Sequence, residues 1–282
     1  MLVLMRHGQR ALDNGHPPTF LETLMLNGWV GVDLFFVLSG YLVSAGLLRS
    51  YERHSSFEIG NYSKRRALRI LPAYLFVLVL VVDGYFPGFA VPSENLVFST
   101  LYHLVFLQDV LPSDINVVYW SLGVEAKFYL AAPLFVALAL RGNPWLVFLC
   151  IGMVSIILAP AIRGAIFEIF QTTDYRSFWQ SVRSPFYACI EPFALGLLIA
   201  LCEHKKMIRI PVILAIALFC CTLLGLAAYL MSHVFLARIG IWDATFQPTI
   251  MTVIFCVLVV STIAIKDVRL PFAQFFQFGA RV

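Results

Sequence analysis

The chain has 282 residues, 60% of them hydrophobic and only 13% charged, where a soluble domain carries roughly 25%. With a mean hydropathy of +0.85 it lacks the polar surface of a soluble globular enzyme. A net charge of +4 supplies neither the charge density of a disordered chain nor a basic face for nucleic acid, so no nucleic-acid partner is expected.

A spanning helix uses about 20 apolar residues, so the length allows about nine or ten crossings joined by short loops. Residues 1–12 are apolar only to Met5, too short to span. The first full run is Val30–Leu48, opened by Gly28 and closed by Arg49, and Leu68–Phe86 follows. Asn95–Leu111 is shorter and more polar, carrying His103, Gln108 and Asp109. Then come Tyr119–Leu140, Pro144–Ile162, Pro185–Cys202, Ile210–Met231 and Phe246–Ile265, and a last run that begins near Leu270 and stops at Val282. The connections hold turn residues: Asn14-Gly15, Pro17-Pro18, Pro87-Gly88 and Pro92. Long continuous runs are unlike the short alternating segments of a closed barrel. The fold class expected is therefore all-α: a polytopic transmembrane helix bundle forming one domain over 1–282. The six cysteines sit in or beside apolar runs without metal-ligand spacing, so they read as small buried hydrophobes, and no metal is expected.

Orientation rests on Lys and Arg. Arg49, Arg53, Lys64, Arg65, Arg66 and Arg69 cluster between the first two full runs, which makes that loop cytoplasmic. If every later run crosses, Lys205, Lys206, Arg209, Lys266 and Arg269 fall outside. If Asn95–Leu111 is re-entrant, those five and Arg141 fall inside. Both readings stand at this level.

Leu4-Met5-Arg6-His7-Gly8 resembles the Arg-His-Gly signature of histidine phosphatases, but that chemistry needs a soluble α/β frame around a phosphate, and the composition is against it. Gly28-Trp29-Val30-Gly31-Val32-Asp33-Leu34-Phe35-Phe36-Val37-Leu38-Ser39-Gly40-Tyr41 is more telling. It puts an acid at the mouth of a span and Ser39-Gly40 in its middle, where small residues let helices approach or leave room for a ligand. Lys64-Arg65-Arg66-Ala67-Leu68-Arg69-Ile70-Leu71-Pro72 and Trp120-Ser121-Leu122-Gly123-Val124-Glu125-Ala126-Lys127-Phe128-Tyr129 follow, and Arg183 to Gly196 adds an Arg…Phe-x-x-Gly pattern. In this order the segments resemble the membrane-bound acyltransferase 3 family, multi-span O-acyltransferases of bacterial envelopes.

The resemblance implies about ten spans, a bacterial cytoplasmic-membrane location, acyl-CoA (acetyl-CoA) as donor substrate with no bound cofactor, and a carbohydrate or lipid-linked glycan as acceptor. The family's proposed catalytic His lies on the outer part of its first helix, and His7 matches that place. The family's Arg ahead of that His and its later Ser-Tyr and His have no counterparts, so the first and last spans read as incomplete and the chain as truncated at both ends.

The candidate residues follow. An imidazole can take an alcohol proton at neutral pH, so His7 is the candidate base, against a plain interfacial His. Asp33 reads either as a helix N-cap or as the acid orienting His7. Arg66 and Arg69 share a helix face and suit the CoA phosphates; the alternative is a topology anchor that also binds anionic lipid, which explains Lys64 and Arg65. Glu125, costly in lipid, assists catalysis or pairs with another helix, while Lys127 snorkels. Ser39, Gly40, Trp120, Ser121, Tyr129 and Arg183 complete the matched positions, Arg183 either binding substrate or marking a span end. A transporter or flippase of a polar glycan or lipid, using the same intramembrane charges, is the competing class, and a non-catalytic remnant a third.

Overall fold

A computed structural model describes residues 22–23, 26–85, 95–111, 115, 117–170, 175–232 and 240–265. His7 and the run that follows Ile265 lie outside these residues. The described part is helical, with no strand among the described residues, and the chain is an integral multi-pass membrane protein. Among the described residues, six helical segments are long and apolar enough to cross a membrane.

A 3-10 turn, Asn27–Val30, leads into α1, Gly31–His54. Asp33 in its first turn and Arg53 and His54 in its last match the helix dipole at both ends. Ser55, left-handed at φ 53°, reverses the chain into α2, Ile59–Val82. The N-terminal half of α2 carries Lys64, Arg65, Arg66 and Arg69, and the helix exposes Leu68 and, farther along, Phe76 and Val79, as a lipid-facing helix should.

α3, Leu96–Leu104, has nine residues. That is about 14 Å of helix, less than half of a hydrocarbon core about 30 Å thick, so Asn95–Leu111 does not cross. It enters and returns between neighbouring helices. Tyr74 Oη donates to the His103 carbonyl at 2.8 Å, and Gln108 Nε2 to that of Tyr119 at 3.1 Å. Lys127 Nζ donates to the Phe106 carbonyl at 2.8 Å and pairs with Asp109. Irregular backbone at membrane depth survives only when protein supplies its partners, and these side chains do so. Lys127 therefore does not snorkel: the re-entrant segment brings a carboxylate and a carbonyl to it.

α4, Trp120–Arg141, runs back toward the cytoplasm. α5, Pro144–Met153, a π-helical turn, Val154–Leu158, and α6, Ala159–Phe170, form one continuous span. A short α7, Tyr175–Phe178, and a second π turn, Trp179–Arg183, lead to α8, Phe186–His204. The backbone N–H of Phe186 donates to Asp109 Oδ2 at 3.1 Å, so the re-entrant loop caps α8. α9, Val212–Ser232, a short α10, Ile241–Thr245, and α11, Gln247–Ile265, complete the described chain.

α1 and α8 lie parallel and make the most extensive helix contact. His204 Nδ1 stands 3.4 Å from Glu52 and Tyr41 Oη donates to Glu203 at 2.6 Å, so the C-terminal ends of both helices are on one side. Lys205, Lys206 and Arg209 thus share a side with Arg49 and Arg53, which satisfies the positive-inside bias and selects the re-entrant reading. The helices cross where glycine meets backbone: a Cβ on Gly40 would lie 2.5 Å from the Phe193 carbonyl oxygen, and one on Gly196 2.7 Å from the Tyr41 nitrogen. Association in lipid relies on such close packing. Phe36 and Phe128 stack on Phe193 at 4.7 and 4.4 Å between centroids and fill the space around the crossing.

Gly46, on the same helix, has nothing within 4 Å of a built Cβ. Gly196→Ala should therefore lower the melting temperature through overpacking worth about 1–3 kcal/mol, while Gly46→Ala should leave it unchanged or raise it; thermal denaturation in detergent compares the two.

Candidate active site

The wedge between α1, α2 and α4 is open. α2 packs against α4 rather than α1, and the gap is a cavity of about 630 Å³ whose walls include Ser39, Leu42, Arg66, Arg69, Tyr74, Tyr119, Glu125 and Tyr129. Along α2 it reaches from Arg66 to Val77, about 16 Å of helix axis. A smaller cavity of about 280 Å³ lies toward the cytoplasmic ends of α1 and α2, lined by Gly46, Ser50, Phe57, Tyr62 and Arg65 and again by Arg66 and Arg69. The two spaces share the two guanidinium groups.

The helix register accounts for this placement. Ser39 and Val43 are one turn apart on α1, Arg66, Arg69 and Ala73 lie on one stripe of α2, and Glu125 and Tyr129 are one turn apart on α4. Glu125 is 4% exposed. It accepts hydrogen bonds from Tyr129 Oη and, at 3.4 Å, from Ser39 Oγ, and makes no salt bridge among the described residues. The Tyr129 ring lies under Arg66 with Cζ 5.1 Å from its centroid, and the Tyr62 ring stands 5.7 Å away on another side. Tyr62 Oη also donates to the Tyr129 carbonyl at 3.0 Å. A relay results: the carboxylate holds the phenol, and the two phenol rings hold the guanidinium, with cation–π contacts worth about 0.5–2 kcal/mol each. Arg66 is half-buried and Arg69 exposed, so both keep donors free for an anion entering the cavity.

Toward the outer face, Asp33 and Arg183 form an ion pair, with side chains 1% and 2% exposed. Arg183 Cζ stands 5.7 to 5.9 Å from the rings of Trp29, Trp120 and Trp179, three indoles around one cation. The π turn over Trp179–Arg183 contributes both the third indole and the arginine, as single-turn π segments often do at functional sites. Val30, not Asp33, is the N-cap of α1, and it has no side-chain capping bond. Asp33 Oδ2 has no hydrogen-bond partner among the described residues. A second buried pair, Arg163 with Glu191 at 2.9 Å and with Thr249 Oγ1 at 2.6 Å, knits α6, α8 and α11 away from the cavity.

Of the sequence candidates, Ser39, Arg66, Arg69, Glu125 and Tyr129 meet at the large cavity. Asp33, Trp120 and Arg183 form the caged pair. Gly40 serves the helix crossing and leaves no room for a ligand. Ser121 Oγ donates to the Val118 carbonyl at 3.1 Å, a local bond at the start of α4. His7 lies outside the described residues. Tyr62, Trp29, Trp179 and Arg163 were not singled out by sequence; Trp29 lay within a matched segment, whereas Trp179 and Arg163 had no signal beyond being polar or aromatic at a span end.

A bundle of membrane helices with two cations and a buried carboxylate on one internal cavity is the frame of an intramembrane transfer or transport protein. The model of an acyltransferase domain matches residues 1–282, and the chain belongs to that family, acyltransferase 3. The peptidoglycan O-acetyltransferase OatA of Listeria monocytogenes is 35% identical over 128 residues, 40% of this chain and 20% of that protein. The O-acetyltransferase OatA of Staphylococcus aureus is 29% identical over 129 residues, 40% of this chain and 21% of its own length. YrhL of Bacillus subtilis is 30% identical over 177 residues, 54% and 27% respectively. The aligned segments thus cover about a quarter or less of these relatives. No solved structure matches the chain.

Removing one member of a buried ion pair costs about 3–5 kcal/mol, whereas an apolar replacement of both is often neutral. Arg183→Met should therefore abolish stable folding and the double variant Asp33→Leu/Arg183→Met restore it, read by size-exclusion monodispersity and melting temperature. If the double variant also recovers transfer activity, the pair is scaffold alone.

Proposed function

We propose that this chain is the membrane domain of an O-acyltransferase that moves an acyl group, acetyl as the expected one, from acyl-CoA to a hydroxyl of an envelope carbohydrate. One observation carries this reading: Arg66 and Arg69, at the cytoplasmic side, share a cavity with the buried Glu125 and the half-buried Tyr129. Acyl-CoA is made in the cytoplasm, and its phosphates suit two guanidinium groups on one helix face. Family membership supports the transfer chemistry, and the relative from Listeria named a peptidoglycan O-acetyltransferase supports a cell-wall glycan as acceptor in a bacterial cytoplasmic membrane.

In this mechanism the CoA phosphates rest on Arg66 and Arg69, and the thioester arm extends into the large cavity. Glu125 acts through Tyr129: it fixes the ring on which Arg66 is seated, and so orders the donor without touching it. His7 takes the proton from the acceptor hydroxyl. The hydroxyl oxygen bonds to the thioester carbonyl carbon, the C–S bond breaks, and the departing CoA thiolate receives the proton. Asp33 Oδ2, unpartnered beside Arg183, is the atom that would accept an imidazole N–H and set the tautomer of His7, as second carboxylates do in acyl transfer.

Purified protein should bind acetyl-CoA and release CoA when a glycan acceptor is added. Failure of both would sink the enzyme reading in favour of transport. Arg66→Lys keeps the charge but loses the planar stacked fork, and should raise the donor KM about tenfold, the equivalent of about 1.4 kcal/mol, without changing the melting temperature. Gly46→Leu, whose Cβ meets nothing within 4 Å, puts a side chain into the smaller cavity and should block donor entry in a folded protein. His7→Ala in the full-length protein should abolish transfer while donor binding persists; surviving transfer at equal expression would remove His7 from the mechanism.

A further inference from the structure

The span made of α5, its π turn and α6 presents a packing problem that the transfer site does not explain. α5 is apolar on every side, and not one of residues 145–153 is buried. A membrane helix normally gains its place by packing against its neighbours; α5 packs on α4 and α8 only through the partly buried Val147 and Ile151, and beside that contact a gap remains. That gap is a second cavity, of about 400 Å³, with Phe128 and Ala139 of α4, Val147 and Cys150 of α5, and Phe193 and Ala194 of α8 in its walls. Its volume falls within the range of ligand pockets, about 300–1,000 Å³. It is separate from the donor cavity: no lining residue is shared between them.

Two features say what fills it. The walls are hydrocarbon and aromatic at membrane depth, with the small side chains of Ala139 and Ala194 leaving the hollow. The lining also includes Leu138 and Leu146, which flank the turn joining α4 to α5, so the groove runs up to that turn at the cytoplasmic interface. There Arg141 is exposed and has no ion-pair partner among the described residues. Trp145, 81% exposed beside it, marks the headgroup level, where tryptophan concentrates. An apolar slot whose Leu138 wall is followed one helical turn later by an unpaired cation complements a molecule with a long apolar tail and an anionic head.

We propose that this groove is a binding site for an anionic phospholipid of the cytoplasmic leaflet, one acyl chain lying between α4, α5 and α8 and the headgroup phosphate on Arg141. The lipid supplies the packing that α5 lacks. It thereby braces the side of Phe128 and Phe193, whose rings also stack behind the α1–α8 crossing, so occupancy tunes the rigidity of the helix that carries Glu125 and Tyr129.

The test titrates delipidated full chain in detergent with phosphatidylglycerol and with phosphatidylcholine and counts bound lipid by native mass spectrometry. The wild type should hold one phospholipid with an approximately fivefold preference for phosphatidylglycerol, the worth of one basic residue at an anionic headgroup. Arg141→Gln should lose the preference and keep the lipid, while Arg53→Gln, a cation on the same membrane face outside the groove, should change neither. Ala194→Trp fills the hollow and should lose both lipids; should that variant fail to fold, Ala139→Phe takes its place. A wild type without a retained lipid, an Arg141→Gln that keeps the preference, an Arg53→Gln that loses it equally, or a filled groove that still binds would each overturn the proposal.

Discussion

A carboxylate and a guanidinium in hydrocarbon are tolerable only against one another, and the fold is organised around that constraint at Asp33 and Arg183. Their pairing brings the outer ends of α1 and α8 together. Gly40 and Gly196 let the two backbones touch at mid-depth, and Tyr41–Glu203 with Glu52–His204 close the cytoplasmic ends. With α1 and α8 fixed as a parallel pair, α4 is placed by Trp120 at the cage around Arg183 and by Ser39 and Glu125 one level deeper. α2 is then the loosest wall, held by Tyr62 and Tyr74 rather than by close helix packing, and the space it leaves is the large cavity.

The same economy recurs in the re-entrant segment. Asp109 neutralises Lys127 and caps α8 at once, and the carbonyls of Phe106 and His103 are taken up by Lys127 and Tyr74. Polar groups that would be prohibitive in lipid hold an irregular backbone inside the bundle and bring α4 and α8 into register. The charges on the spanning helices among the described residues therefore divide by surroundings. Asp33, Arg183, Arg163 and Glu191 are paired and enclosed, and they hold helices together. Arg66 and Arg69 line open volume with donors facing it, while Glu125 stands behind them, holding Tyr129.

Much of this was legible in the sequence. Long apolar runs give the all-α bundle, and the polarity of Asn95–Leu111 already allowed that it does not cross. Arg66 and Arg69 stood out as two cations on one helix face opening into a span, Glu125 as a carboxylate inside an apolar run, and Tyr129 as a position of the matched segment. What the sequence could not supply is long-range partnership. Asp33 and Arg183 are 150 residues apart, and each alone looked like a span-end charge. Lys127 looked free to snorkel because nothing local reveals that Asp109 folds back to meet it. Gly40 could have made room for a ligand or a helix until Gly196 was found opposite it. The aromatic seat of Arg66 needed Tyr62, a residue in a basic stretch with no apolar periodicity to flag it.

The central claim is that the wedge between α1, α2 and α4 receives the acyl donor. A photoreactive acyl-CoA carrying a diazirine in its acyl group, crosslinked to the purified protein and mapped by peptide mass spectrometry, tests it most directly. The account predicts adducts on residues lining that cavity, among them Leu42, Tyr74 and Tyr129, suppressed by excess acetyl-CoA and lost in Arg66→Gln/Arg69→Gln. Adducts that map instead to α9 or α11, or that persist unchanged in the double arginine variant, would contradict it.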